Sequence, residues 1–264
     1  MVEHVLHEAI EHRLKHAALK VLVVGAGGTG SKVVAGLRFL HQALLAFGRR
    51  GLTVTLADGD LVSESNLVRQ AYYAPDLGRN KAETLIGRIN LSCGLDWKAV
   101  NRHVDHGLVR SERADIVIAC VDSRAARAEI SQGLENSVYF VDAGNSATTA
   151  QVVLGSPENW YNPRRRLRLR TAYELFPELC DAALPETDEP SCGTLEALAK
   201  QDLFVNDVVA THTLNLLWQL LNLGRLDHHG VFIDLKTSST RPLLIDPEMW
   251  RRFQRQGRRR ASSP

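Results

Sequence analysis

The sequence has few cysteines, no long apolar run and almost no net charge, and each shortage argues against a class of protein. Its 264 residues include four cysteines, and no two of them form a C-x-x-C pair. That pattern argues against a disulfide-rich secreted scaffold and against a four-cysteine zinc ribbon. A net charge of +2 is too small for a general nucleic-acid binder. The 44% hydrophobic content is that of an ordinary globular protein.

Membrane and export signals are also missing from the sequence. The longest apolar stretch, residues 203–223, is interrupted by Asn206, Asp207 and His212, so it predicts a buried helix and not a membrane span. The first eight residues are polar and contain no apolar signal core. We therefore expect a cytoplasmic protein without a membrane partner.

The positive charge that is present is concentrated in two arginine-rich runs, at residues 164–170 and 251–260. Such runs usually form a solvated loop or a frayed tail, and we predict this for both. The alternative is a surface that binds an acidic protein partner.

Short β-branched runs alternate with helical stretches through the first half of the chain. Strands are predicted at 21–24, 52–56, 97–100, 116–119, 138–141 and 151–154, and helices at 28–47, 80–90 and 125–132. This alternation predicts an α/β fold with a doubly wound, mostly parallel sheet covered on both faces. A long loop at 156–191, a helix reaching about residue 223 and a hairpin of 231–235 with 242–245 follow.

A glycine-rich loop, G-A-G-G-T-G-S at residues 25–31, follows the first predicted strand and opens a helix. Gly25, Gly27, Gly28 and Gly30 allow a tight turn and a close approach to phosphates, which the helix N-terminus would bind. The motif alone does not distinguish NAD, FAD, S-adenosylmethionine and ATP. Asp58 ends the next strand, where a carboxylate can bind a ribose, and Asp60 could point the same way.

Cationic residues after Asp58 favour ATP over a dinucleotide. Arg69 and Lys81, with Asn66 and Gln70 nearby, would offset the charge that moves onto phosphate oxygens when pyrophosphate leaves. Asp122 follows a buried strand and could hold Mg²⁺ against a triphosphate, although a helix N-cap is the alternative for this residue.

These motifs together resemble the ThiF/MoeB/ubiquitin-activating enzyme superfamily. The resemblance rests on D-x-D-x-V-x-x-x-N-L-x-R-Q from residue 58, G-x-x-K-A from 78 and C-x-D-S from 120, after the glycine loop. The segments at 142–146, 190–198 and 200–206 are similar to the ThiF-type protein of the bacterial PRTRC system. The resemblance therefore covers nearly the whole chain.

The resemblance implies a single Rossmann-like, ThiF-type adenylation domain over residues 1–264. Its parts would be an N-terminal helix (1–20), a nucleotide-binding core (21–155), a crossover loop (156–191), a C-terminal helix and hairpin (192–248) and a basic tail (249–264).

It also implies an activity and site roles. A homodimeric enzyme would use ATP and Mg²⁺ to adenylate the C-terminal carboxylate of a ubiquitin-like protein, with conjugating-enzyme-like and JAB-peptidase neighbours. The glycine loop would hold the phosphates, Asp58 the ribose and Asp122 the Mg²⁺. Asn66, Arg69, Gln70 and Lys81 would surround the triphosphate. Because the paired cysteines of many relatives are missing, we expect no structural zinc.

A thioester intermediate needs an accessible thiolate. Cys192 precedes a helical segment, at the position where sulfur-transfer relatives carry their reactive cysteine, and is the leading candidate. Cys180 is the second candidate, and adenylation without a catalytic cysteine is the third possibility.

Two other functions remain open from the sequence. An NAD(P)-dependent oxidoreductase would use the glycine loop and Asp58, but it leaves Arg69 and Lys81 unexplained. A catalytically silent nucleotide-binding scaffold would not need this full set of charged residues.

Overall fold

The structure, a computed structural model, describes residues 3–158, 167–181, 183–184 and 202–261, with side chains described up to residue 254. Much of the predicted crossover loop and Cys192 lie outside the described residues.

The centre of the fold is an eight-stranded sheet with the order β10-β9-β7-β6-β5-β2-β3-β4. Its strands are β2 (Leu19–Val24), β3 (Leu52–Ala57), β4 (Lys98–Val100), β5 (Ile116–Ala119), β6 (Tyr139–Asn145), β7 (Thr149–Gly155), β9 (His228–Asp234) and β10 (Ser239–Leu244). A separate antiparallel pair consists of β1 (His4–Val5) and β8 (Arg225–Leu226).

The strands from β4 to β6 across the sheet are parallel, and β7, β9 and β10 extend it in antiparallel pairs. The chain proceeds from β2 outward through β3 and β4, then returns to the other side of β2 to form β5 and β6. This confirms the predicted doubly wound, mostly parallel sheet and its terminal hairpin. Ligands in such sheets bind where the order reverses, here between the ends of β2 and β5.

The parallel strands are connected by α2 (Gly28–Ala46), α3 (Lys81–Cys93), α4 (His106–Glu112) and α5 (Arg124–Gly133). The other helices of the described residues are α1 (Glu8–His16), α6 (Ala172–Leu175), α7 (Val205–Leu223) and α8 (Pro247–Ala261). Helix α7 packs against α2 and against β6 and β7. Every residue of β5 is buried, as expected for a strand covered on both faces. Within the described part of the chain, no helix is long and apolar enough to cross a membrane.

The sequence predicts a solvated loop for the arginine run at 164–170. The described end of this run, residues 167–170, is instead partly buried and forms ion pairs. Arg168 donates to both carboxylate oxygens of Glu174 at 2.9 and 2.5 Å, and Arg170 donates to the same carboxylate at 2.6 Å. Burial opposes ionisation of Glu174, but these arginines prevail and lower its pKa to about 2. The sequence did not reveal this pairing because Glu174 lies outside the run.

The arginine run at 251–260, for which the sequence predicts a frayed tail, is instead helical, since α8 extends to Ala261. Trp250 is buried, and the ring of Phe253 contacts Phe176 and Phe232. Arg251 and Arg252 are exposed on this helix. Apolar residues between the arginines therefore dock the start of the basic segment onto the fold.

His229 on β9 is fully buried beneath α8. Its Nδ1 lies 2.7 Å from the carbonyl oxygen of Leu154, and its ring meets Trp250 edge-on with centroids 5.0 Å apart. Burial, together with the neighbouring His228, lowers the pKa of His229 to about 4, although the Leu154 carbonyl opposes the shift. The fold therefore holds a neutral imidazole.

We predict that this histidine makes stability depend on pH. Below pH 6.5 the His229 imidazole of the unfolded chain binds a proton, whereas in the folded chain it stays neutral until about pH 4. The free energy of unfolding should fall through this window as pH falls, by roughly 1 kcal/mol per pH unit from this residue. Denaturant titrations of wild type and His229→Gln across the window measure the difference in slope. His16→Gln, at an exposed position, is the control, and equal slopes for all three proteins would contradict the prediction.

Candidate functional site

A cleft of about 1150 Å³ opens at the carboxyl ends of β2, β3 and β5, where the strand order reverses. This volume is larger than most ligand pockets, which span about 300–1,000 Å³. The structure brings together here all the predicted nucleotide-binding residues except Gly30: Gly25, Gly27, Gly28, Asp58, Asp60, Asn66, Arg69, Gln70, Lys81 and Asp122.

The glycines of the loop differ in whether the backbone around them leaves room for a side chain. Gly25 has a positive φ of 93°, and a Cβ there would lie 2.6 Å from the carbonyl oxygen of Cys120. A Cβ on Gly30 would lie 1.9 Å from the carbonyl oxygen of Gly25. A Cβ on Gly27 would meet nothing within 4 Å. Gly25 and Gly30 are therefore required by the turn, whereas Gly27 borders open space in the cleft.

Helix α2 begins at this loop with a bare N-terminus. Its N-cap is Gly27, which offers no side chain to the free N–H groups, and no acidic residue occupies the first turn. The first N–H groups of a helix lack partners within the helix and carry its positive partial charge. The start of α2 is therefore suited to binding an anion.

Asp58 links the loop to the end of β3. Its Oδ2 accepts a hydrogen bond from the backbone N–H of Ala26 at 2.6 Å, and its Oδ1 accepts one from the N–H of Asp60 at 2.8 Å. Burial raises the pKa of Asp58, although both backbone hydrogen bonds and Lys81 oppose the shift. Its carboxyl group borders the cleft while it fixes the backbone on each side.

Lys81 is held at the cleft by Asp60. Its Nζ donates to Asp60 Oδ2 at 2.9 Å, and the lysine side chain is 9% exposed. Asn80 supports the pair, because its amide nitrogen donates to the carbonyl oxygens of Asp58 and Asp60. An ammonium group has three donors, so the contact with Asp60 leaves capacity for a ligand oxygen.

The segment that carries Asn66, Arg69 and Gln70 forms another wall of the cleft. Asn66 Oδ1 accepts a hydrogen bond from the N–H of Ser63 and thereby fixes a short 3₁₀ turn. Gln70 Oε1 is buried without a hydrogen-bond partner in the described structure. A buried amide oxygen without a partner is costly and is a feature of sites that bind a ligand or water.

Asp122 lies just beyond the end of β5, and its side chain is exposed at the cleft. The N-cap of α5 is Ser123, whose Oγ accepts a hydrogen bond from the N–H of Ala126 at 3.1 Å. The alternative that Asp122 caps this helix is therefore wrong, and its carboxylate remains available. The described residues contain no cluster of three metal-binding side chains. Mg²⁺ sites often use one or two carboxylates plus phosphate oxygens, and Asp122 fits that use.

Behind Asp122, Arg127 and Asp142 form a buried ion pair with Nε and Oδ1 3.3 Å apart. The Tyr173 hydroxyl lies 3.5 Å from the same carboxylate oxygen. Burial raises the pKa of Asp142, while Arg127 is the main influence that opposes the shift. The charge of Arg127 is therefore paired with Asp142.

Two cysteines within the described residues, Cys120 and Cys180, are protected from ionisation by burial. Burial, followed by the charge of Asp142, raises the pKa of Cys180 to about 12 and raises that of Cys120 further. A thiol with a raised pKa is a poor nucleophile at neutral pH. Cys180 is therefore a weak candidate in this conformation, and the role predicted for Cys192 concerns a residue outside the description.

Sequence reasoning missed a polar group at the far side of the glycine loop. The Thr29 hydroxyl lies 3.0 Å from Asn206 Oδ1 and 3.3 Å from Asn145 Oδ1, so its one proton can be donated to either, and all three residues line the cleft. A Cβ on Gly28 would lie 2.5 Å from the Asn206 amide. The one signal was that Asn206 is among the polar residues that interrupt this largely apolar stretch. His103 also lines the cleft, 4.0 Å from Asp60.

We predict that two alanine substitutions in the loop destabilise the protein to very different extents. Gly30→Ala should destabilise the protein by about 1–3 kcal/mol or more, because its methyl group overlaps the Gly25 carbonyl oxygen. Gly27→Ala should cost less, about 1 kcal/mol or below, because its methyl group enters open space and the main penalty is that alanine is a weaker N-cap than glycine. Denaturant unfolding of the two variants measures this contrast, and an equal loss in both would show that the loop geometry is different.

Sequence comparisons identify relatives of known class. The sulfur carrier protein ThiS adenylyltransferase of Escherichia coli K12 is 30% identical over 126 residues, which are 46% of this chain and 47% of that protein. The NEDD8-activating enzyme E1 catalytic subunit of Dictyostelium discoideum is 31% identical over 180 residues, 66% of this chain and 38% of that protein. The adenylyltransferase and sulfurtransferase UBA4 of Yarrowia lipolytica is 31% identical over 121 residues, 45% and 28%. The chain thus spans less than half the length of these relatives.

Solved structures share the fold at low sequence identity. PaaA superposes with a TM-score of 0.61 and 17% identity, over 90% of this chain and 67% of that one. The structure of E. coli MccB with ATP gives a TM-score of 0.57 and 17% identity, over 89% and 66%. The ThiF family profile matches residues 4–243, and on that match this chain belongs to the ThiF family.

Proposed function

We propose that this protein adenylates the C-terminal carboxylate of a small ubiquitin-like or sulfur-carrier protein at the expense of ATP. The observation that carries the proposal is the convergence, in one cleft, of a bare helix N-terminus, the Asp58 carboxylate at the end of β3, two cations and an exposed aspartate. The names of the relatives support the reaction, since the E. coli protein is an adenylyltransferase of ThiS and the Dictyostelium protein activates NEDD8.

The glycine loop would bind the triphosphate. Backbone N–H groups at the start of α2 supply donors, and the space beside Gly27 lets phosphates approach the main chain. Asp58 would accept a ribose hydroxyl while its backbone contacts keep the loop in place. This arrangement would leave the α-phosphate accessible to an entering carboxylate.

The reaction would form one bond and break one. A carboxylate oxygen of the partner attacks the α-phosphorus, the bond to the bridging oxygen breaks, and pyrophosphate leaves with the electron pair. Arg69 and Lys81 would stabilise the negative charge that shifts onto the departing phosphates. Lys81 is already oriented by Asp60, so little reorganisation is needed during the reaction.

Asp122 would hold Mg²⁺ at the cleft. The exposed position of its carboxylate, free of a capping role, fits a single-carboxylate site completed by phosphate oxygens and water. When bound, Mg²⁺ supplies charge neutralisation for the triphosphate. The residues of this chain provide orientation and the remaining positive charge.

A second step would transfer the acyl group to a thiol. Cys192 would attack the carbonyl carbon of the acyl-adenylate, forming a thioester and releasing AMP. The partners we propose with this step are those of the PRTRC-type resemblance: a ubiquitin-like protein, with a conjugating-enzyme-like protein and a JAB-type peptidase nearby. A homodimer is the proposed assembly.

We predict that Asp122→Ala lowers carrier-dependent exchange of pyrophosphate into ATP by about a hundredfold or more, because the variant loses charge stabilisation of the triphosphate. The matched control is Asp96→Ala, which removes an exposed carboxylate just before β4, at the opposite end of the strands. Wild-type exchange by Asp122→Ala would exclude the proposed role of this residue. ATP binding without exchange for every carrier tested would instead identify a nucleotide-binding scaffold.

A separate prediction concerns the thiol. Mixing the protein with Mg·ATP and its carrier should give a carrier-sized mass adduct under non-reducing conditions, which added thiol removes. Cys192→Ala should abolish the adduct and retain pyrophosphate exchange, because adenylation precedes transfer. Cys180→Ala should retain both, since burial raises the pKa of Cys180 to about 12. An adduct that survives in Cys192→Ala but disappears in Cys180→Ala would reverse the assignment.

A further inference from the structure

Arg127 lies in the first turn of α5 and directs two donors at different targets. Its Nε is 3.3 Å from Asp142 Oδ1 on β6, and its Nη1 donates to the carbonyl oxygen of Asp122 at 3.1 Å. The Arg127 and Asp142 side chains are 9% and 1% exposed. The buried Arg127 guanidinium thus connects Asp142 on β6 to the backbone of the cleft residue Asp122.

This buried pair is costly for the fold. Moving two charges out of water is expensive, and apolar residues of similar volume are often as stable or more stable at such positions. Stability alone therefore gives a weak reason for the pair. A guanidinium, in contrast, can bind a carboxylate and a carbonyl oxygen at once, which an ammonium group or an apolar side chain does poorly.

The surrounding backbone leaves room for this contact. A Cβ on Gly144 would lie 3.0 Å from Arg127 Nη2 and 2.8 Å from Gln151 Nε2. The Tyr173 hydroxyl closes the other side of Asp142 at 3.5 Å. The guanidinium therefore has a restricted position, and the Asp122 carbonyl is held by a group that is itself held in place.

We propose that Arg127, fixed by Asp142, is a positioning residue that aims the Asp122 carboxylate into the cleft and thereby strengthens the binding of nucleotide together with a divalent cation. This inference rests on the proposed function, in which Asp122 holds the cation. Arg127 reaches the cleft only through the Asp122 backbone, so it acts on ligand binding indirectly.

The expected consequence is specific to the cation. Outer residues that orient a metal-binding side chain typically change metal affinity or activity by about 10–100-fold when mutated. Loss of the Arg127 contact should leave the glycine loop, Asp58 and Lys81 unchanged. Binding of ATP in the absence of Mg²⁺ should therefore be preserved, while the gain in affinity produced by Mg²⁺ should shrink.

The test measures the dissociation constant of ATP by calorimetry, with Mg²⁺ and with EDTA, for the full chain without a carrier. We define the Mg²⁺ enhancement as the ratio of the two constants. Arg127→Lys keeps the positive charge opposite Asp142 but lacks the second donor group that reaches the Asp122 carbonyl oxygen. This variant should reduce the enhancement about tenfold. Arg110→Lys is the matched control, since Arg110 forms an exposed ion pair with Glu135 on the surface.

A double variant separates positioning from a general structural effect. Asp122→Asn should remove the enhancement, and adding Arg127→Lys to it should cause no further loss, because both substitutions act through the same carboxylate. If Arg127→Lys does not fold, Arg127→Met combined with Asp142→Leu replaces the whole pair without leaving a charge unpaired. That variant should also bind ATP in EDTA and lack the enhancement.

The outcomes distinguish this inference from the proposed function. Wild-type enhancement in folded Arg127→Lys would overturn the positioning role and leave the proposed function intact. An equal loss of affinity with Mg²⁺ and with EDTA would also overturn it, because that result reports a disturbed fold. Failure of the wild-type protein to bind ATP under either condition would overturn the proposed function, and the inference with it.

Discussion

The site depends on one close backbone contact, at the turn where β2 leads into α2. The Cα of Gly30 lies against the carbonyl oxygen of Gly25, and the Cα of Gly25 lies against the carbonyl oxygen of Cys120 at the end of β5. These contacts are possible only without side chains, and they bring the start of α2 beside the reversal in strand order. Asp58 then joins the third strand to the same turn through the N–H of Ala26. The cleft therefore lies where the ends of β2, β3 and β5 and the start of α2 come together, and this close approach requires the absence of side chains at Gly25 and Gly30.

Charge in the cleft is arranged in advance of any ligand. Asp60 orients Lys81, the start of α2 presents N–H groups without an acidic neighbour, and the buried Arg127–Asp142 pair holds the Asp122 backbone. Fixed dipoles and charges of this kind stabilise developing charge without reorganising during the reaction. The same arrangement explains why several ion pairs lie at or behind the cleft, where their contribution to stability is small or uncertain. Their position is better explained by orientation of the site than by stabilisation of the fold.

The sequence alone predicted those features of the fold that short stretches of neighbouring residues determine. Buried β-branched runs marked the parallel strands, and the glycine loop marked the turn from β2 into α2, because both signals are local in the chain. The structure added contacts between distant residues, such as Arg127 with Asp142 and Thr29 with Asn206. Helix α4 was missed because it is short, and α8 was read as a tail because its arginines hid the apolar residues that dock it. Pairing across the fold could not be read from a single sequence.

Asp142 contacts Arg127 behind the proposed cation site and also influences two nearby thiols, Cys120 and Cys180. Burial is the main cause of the raised pKa values of Cys120 and Cys180, and the charge of Asp142 adds to it, while Arg127 opposes the shift for both thiols. Cys120, which lines the cleft, and Cys180 would thus both be protonated, and neither would be suited to attack an acyl carbon at neutral pH. Transfer to a cysteine of this chain then requires a thiol outside this buried cluster. Burial, with a smaller contribution from the charge of Asp142, therefore restricts which cysteine could act, and this favours a separate, more exposed residue over these two.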